Sequence, residues 1–184
     1  MKKALELRKT NPVSYLAYMC QVENVIRACR LDIDELEKKV LAEYDYSNGP
    51  SKEDVRQWYE DLIRMMREER AVEYPQHQQI VWNVAQLLED HREKMLADGK
   101  DGKFLMMNAE VKNFLVRYRK LHSIPEERPD VMLAVEFIYY YAIQKATKHG
   151  EEMNAKTEED VKYLTEFLCR LQDDYIKEKE EENA

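Results

Sequence analysis

From residue 12 onward, apolar side chains return every three or four positions, the period of a helix with one buried face. Tyr15, Met19, Val22, Ile26 and Cys29 form the first stripe, widened by Tyr18 and Val25. Val13, Leu16, Ala17 and Cys20 lie on the other side, so this helix is expected to be covered on two faces. Asn11-Pro12 opens it, an N-cap candidate followed by a proline whose missing N–H costs nothing there. Asp32 with Glu35 opens a second helix through Ile33, Leu36, Val40 and Tyr44, which DYSNGP ends. Ser51 with Asp54 opens a third, bearing Val55, Trp58, Tyr59, Leu62, Met65 and Met66. After a break at Pro75, a fourth sets Ile80, Val81, Val84, Leu87, Leu88 and Met95 within an arc of about 120°.

ADGKDGK is the clearest loop. A fifth helix follows, carrying Phe104, Met107, Val111, Phe114, Leu115, Tyr118 and Leu121, and stops before SIPEERP. The sixth, VMLAVEFIYYYAIQKA, is apolar nearly all round and is expected to be the most buried. The seventh opens at Thr157 and places Val161, Leu164, Leu168, Leu171 and Tyr175 at heptad-like spacing. Its end, residues 176–184, reads as a frayed acidic tail. No stretch alternates with the period of a strand, no repeat recurs, and no linker divides the chain. The expectation is all-α: a single-domain bundle of six or seven helices over residues 1–184.

Composition supports helices, with only four Gly and five Pro in 184 residues and 36% charged side chains. A net charge of −8 repels phosphate, and the Lys and Arg form no basic stripe, so general nucleic-acid binding is not expected. No apolar run reaches the length of a membrane span or a signal peptide, which points to a cytoplasmic location. Cys20 and Cys29 are nine positions apart on one helix, about 13 Å along its axis and too far to bridge. With Cys169 they read as small buried hydrophobes in a reducing cytoplasm.

Several chemistries lack their motifs. There is no Gly-rich phosphate loop, no H-E-x-x-H, no C-x-x-C and no G-x-S-x-G, and no E-x-x-H of the di-iron bundles. No metal site and no cofactor are expected. What remains is polar residues on apolar stripes. Glu69, in the last turn of the third helix, and His77, at the start of the fourth, would meet if those helices fold back as a hairpin. A carboxylate orienting an imidazole is either a base or a buried hydrogen bond. His91 sits mid-stripe, about 21 Å further along the helix, and reads as a satisfied core or interface histidine. Glu23 and Arg27, one turn apart, form either an intrahelical tie or one wall of a pocket. A pair kept from water needs further partners, for which Gln21 or a tyrosine hydroxyl is available. Arg117 and His122 reproduce the R-x-x-x-x-H spacing of the HEPN superfamily of helical ribonucleases, where they would bind phosphate and move the proton. Short spacings of this kind also arise by chance.

The segments YLAYMCQVENVIRACRLDID, QWYEDLIRMM and HQQIVWNVAQLLEDHREKML, all within the first hundred or so residues, resemble an uncharacterised all-helical bacterial family, a domain of unknown function. In that family a glycine typically precedes the histidine of the fourth helix, where this chain reads YPQHQQ. The resemblance implies a cytoplasmic helical protein, and it supplies no catalytic residues. It directs attention to Gln21, Glu23, Arg27, Trp58, Tyr59 and His77. Three functions follow as expectations. The first is a helical interaction or scaffold module that self-associates as a homo-oligomer. The second is a small-molecule-binding bundle with a polar pocket among the first, third and fourth helices. The third is a metal-independent ribonuclease using Arg117 and His122.

Overall fold

The computed structural model describes residues 2–47, 49–147 and 155–182. Among them are eight α-helices and no strand: α1 Lys2–Thr10, α2 Pro12–Ala28, α3 Ile33–Lys39, α4 Lys52–Glu68, α5 Gln79–Asp98, α6 Gly102–His122, α7 Asp130–Thr147 and α8 Ala155–Glu182. A single 3₁₀ turn, Leu41–Glu43, follows α3. The all-α class stands, with eight helices where six or seven were expected. The additional helix is α1, which buries only Ala4 and so carries no apolar stripe to betray it. Its last turn meets the start of α2, where the Asn11 side chain accepts a hydrogen bond from Ser14 N at 2.8 Å.

The chain divides into two compact units, Met1–Asn83 and Val84–Ala184, and the division falls inside α5. In the first unit, α2 buries Tyr15, Leu16, Met19, Cys20, Val22 and Ile26, which covers both of its apolar faces as its pattern implies. Leu36, Leu41, Val55, Leu62 and Met66 complete this core. Asp32 caps α3 by accepting from Asp34 N and Glu35 N. Ser51 and Asp54 close a reciprocal capping box on α4, even though Asp is less usual than Glu at that position. Both α2 and α4 end in left-handed residues, Arg30 and Leu31 (φ 57° and 58°) and Arg70 (φ 58°). Leu31 N and Ala71 N then reach back to Ile26 O and Met66 O, as in a Schellman ending.

In the second unit, Phe104 and Phe167 stack with ring centroids 5.3 Å apart, between Val111 and Leu115 of α6 and Leu164, Leu168 and Leu171 of α8. Asp101 caps α6 at Phe104 N (3.0 Å) and grips Arg170 of α8 with two bonds of 2.7 and 2.8 Å. Helix α7 departs from expectation. Only Val131–Glu136 is buried, Asp130 and residues 137–141 are partly exposed, and residues 142–147 face water. Its first two turns fill the space against α6 and α8, and the later tyrosines keep hydroxyls at the surface, where Tyr141 donates to Glu158 at 2.9 Å. Helix α8 continues through the acidic stretch as far as Glu182. Residues 183 and 184 of the expected tail lie outside the described residues.

Candidate functional site

The polar groups of the first unit converge on Glu23, which is wholly buried on α2. Its Oε2 accepts from His77 Nδ1 at 2.5 Å, and its Oε1 accepts from the backbone N–H of Gln78 at 2.9 Å. Because a carboxylate can only accept, the proton of that imidazole edge resides on Nδ1. Arg27, one turn along α2, approaches the same carboxylate at 3.4 Å. The Arg27 guanidinium also donates to Asn24 Oδ1 at 3.0 Å, to Ala71 O at 3.2 Å and to Gln76 O. One arginine thus holds the carbonyls at both ends of the segment that leads from α4 into α5.

This arrangement answers the desolvation problem that a buried ion pair raises. Two charges taken from water lose more than their attraction returns unless further hydrogen bonds satisfy them. Here the extra donors and acceptors come from backbone, the imidazole and the Asn24 amide, not from Gln21, which is exposed. Gln78, also wholly buried, donates its amide to Leu62 O at 3.1 Å. Two atoms of this cluster, Gln78 Oε1 and Arg27 Nε, are buried without a hydrogen-bond partner. Trp82 sets its ring edge-on to His77, with centroids 5.4 Å apart.

The expected Glu69–His77 pair does not form. Glu69 is the exposed C-cap of α4, and its carboxylate instead accepts from Gln79 N at 2.6 Å, at the start of α5. Hairpin geometry brought Glu69 to the correct end of α5, but the deeper carboxylate on α2 takes the imidazole. Glu23, Arg27 and His77 therefore come together, while Glu69 and Gln21 stand outside the cluster.

Tyr59 of the same unit is buried enough that desolvation, reinforced by the neighbouring Tyr18 and Tyr44, pushes its hydroxyl up to about 12. A groove of roughly 630 Å³ lies elsewhere on this unit, lined by Leu31, Ile33 and Ile63 with Arg64, Arg67 and several acids.

The second unit holds a polar cluster that sequence reasoning missed. Glu89 accepts from Arg92 through Nε at 2.9 Å and through a second guanidinium nitrogen, and from Val131 N at 3.0 Å. Arg92 also donates to Asn108 Oδ1 at 2.7 Å and lies 3.5 Å from Asp130. Arg119 joins Asp130 at 2.6 Å, and Arg128 pairs with Glu136 inside the apolar run of α7. The available signals were faint: an i, i+3 pair on α5 and one acid in an otherwise apolar segment.

His91 is buried, donates through Nε2 to Asp174 at 3.0 Å, and meets Tyr175 edge-on. Arg117 and His122 are both exposed on α6, about 140° apart around its axis. Arg117 lines a groove of about 240 Å³ together with Phe114 and Tyr163, whereas His122 packs its ring on Tyr118. No group of three metal-ligating side chains occurs among the described residues. None of the described helices is long and apolar enough to cross a membrane.

No curated protein and no solved structure matches the chain. The family model for a domain of unknown function (DUF4924) matches residues 1–182, well beyond the segments that carry the resemblance, and the chain belongs to that family.

Proposed function

We propose that this chain is a helical interaction module, located in the cytoplasm, that works by presenting a folded surface, including to further copies of itself. The supporting observation is where the charges lie. The Glu23, His77 and Arg27 groups, and likewise Glu89, Arg92 and Asn108, are turned inward and engaged with one another. Large apolar side chains, by contrast, stand in water on helix exteriors, among them Leu87, Met106, Val116 and Leu121. Buried groups that are nearly saturated rigidify a scaffold, and exposed apolar groups are what a partner covers. Light scattering of the full chain over increasing concentration tests the self-association: a rising average mass supports it, and a constant monomer mass removes it.

A second reading rests on the two unpartnered buried atoms, Gln78 Oε1 and Arg27 Nε. One unpartnered donor and one unpartnered acceptor in the same buried cluster suit a small, neutral, polar ligand such as an amide or urea. Nuclear magnetic resonance titration with acetamide tests it. Saturable shifts at Gln78 and His77 that vanish in His77→Ala support the reading, and the absence of shifts dismisses it.

A further inference from the structure

Helix α6 buries one face in its unit and turns the other to water. On the outward side, Met106, Glu110, Asn113, Arg117 and Leu121 follow one another at helical spacing and share an arc of about 80°. All five are exposed. Leu121 and Met106, at 78% and 74%, are the most exposed large apolar side chains among the described residues. The row has a symmetry of its own. From either end it runs apolar, charged, amide, charged, apolar, with an acid on one side of the middle and a base on the other. Glu110 and Arg117 lie equally far from a midpoint between residues 113 and 114, and so do Met106 and Leu121. Glu110 and Arg117 are about 10.5 Å apart along the axis, too far to pair with each other. Neither takes part in an ion pair among the described residues.

We infer that this face is a self-association seam, on which α6 of a second copy lies antiparallel across a two-fold axis beside Asn113. The inference rests on the interaction-module reading and names its partner and surface. A two-fold contact sets each patch against itself, so it needs a patch complementary to its own reverse. Antiparallel pairing meets that need. Glu110 faces Arg117 of the second copy, Arg117 faces the second Glu110, and Met106 and Leu121 cover each other at both ends. Parallel pairing in register would set acid on acid and base on base, which repels. The amide of Asn113 falls beside the axis, where it can bond to its twin. The groove between α6 and α8, lined by Glu110, Phe114, Arg117 and Tyr163, runs alongside and gives the second helix depth to settle into. The row spans about 22 Å, short for a stable interface, so the association is expected to be micromolar and weakened by salt.

Charge reversal tests the seam by light scattering and sedimentation on the full chain. Glu110→Arg alone sets base on base across the axis, and Arg117→Glu alone sets acid on acid. Each is expected to weaken association at least tenfold. An equimolar mixture of the two variants sets a base opposite an acid at both contacts and restores association. Met106→Asp, which removes an end cover, weakens it without altering those pairs. All these positions are exposed, and far-ultraviolet circular dichroism shows whether each variant is folded. Association that persists equally in every folded variant overturns the seam while leaving the interaction module standing. A wild-type chain that stays monomeric to about 200 μM overturns both the seam and the self-association.

Discussion

Replacing Glu23 with alanine is expected to be among the most damaging single changes in the first unit. The carboxylate is wholly buried and receives His77 Nδ1, Gln78 N and Arg27 at 2.5, 2.9 and 3.4 Å. Its loss strands two buried donors, each costing about 1–3 kcal/mol when left unsatisfied. Arg27 suffers less, because it keeps the carbonyls of Ala71 and Gln76 and its side chain is 12% exposed. The sum is about 3–5 kcal/mol, in line with breaking other buried charge pairs. Against a typical stability of about 5–15 kcal/mol, that lowers the melting temperature by roughly 6–20 °C. Glu23→Gln, which keeps an acceptor for Gln78 N but replaces the oxygen facing His77 Nδ1 and Arg27 with an amide donor, is expected to cost about 1–3 kcal/mol. Urea unfolding followed by far-ultraviolet circular dichroism reads both. A double-mutant cycle with His77→Ala is expected to give a coupling of about 1–3 kcal/mol. A cost below about 1 kcal/mol for Glu23→Ala, or a strictly additive cycle, refutes the reasoning.

Three further outcomes are open to measurement. Arg92→Met leaves Glu89 charged and buried with only Val131 N as a donor, so a loss of about 3–5 kcal/mol in urea unfolding is expected. Asp101 is held below the usual carboxylate range, first by its hydrogen bonds from Arg170 and then by Phe104 N. Its contribution is therefore complete above about pH 4 and lost as pH falls through its lowered folded value, and Asp101→Asn should flatten that part of the acid unfolding curve. Tyr59, raised to about 12 by burial, favours the fold below about pH 10 and loses that contribution as pH rises toward 12. Burial also raises Tyr15, Tyr18, Tyr46 and Tyr118, so tyrosinate absorbance is expected to show fewer ionised rings near pH 11 in the native wild type than after unfolding, and Tyr59→Phe should reduce that difference without abolishing it.

The helices were legible because burial imposes a period. The stripes on α2, α4, α6 and α8 mark side chains that are mostly buried or half-buried, Leu121 at the exposed end of α6 being the exception, and Asn11, Asp32 and Ser51 cap where they were expected to. Helix α1 was not legible, since a helix that buries one alanine leaves no pattern. The excess apolarity of α7 misled for the opposite reason, because its aromatic rings carry hydroxyls that are satisfied at the surface. The site was half legible. Glu23 and Arg27 stood out as charges on an apolar helix, and His77 stood out on its stripe. Their union was not visible, because Glu23 and His77 are 54 positions apart and helix order in space is not written in periodicity. The local rule favoured Glu69, which is close to His77 in the chain yet turns outward to cap the start of α5. The Glu89 cluster gathers residues from three helices, each unremarkable alone, so only their convergence reveals it.

Sedimentation equilibrium of the wild-type chain beside Glu23→Gln bears most directly on the claim that the interior clamps while the exterior binds. Wild type is expected to move from 22.1 kDa toward twice that mass as concentration rises, and Glu23→Gln, although less stable, should follow the same isotherm. A wild type that stays at the monomer mass would contradict the claim, and so would a folded Glu23→Gln chain that no longer associates, because it would place the binding function at the buried cluster.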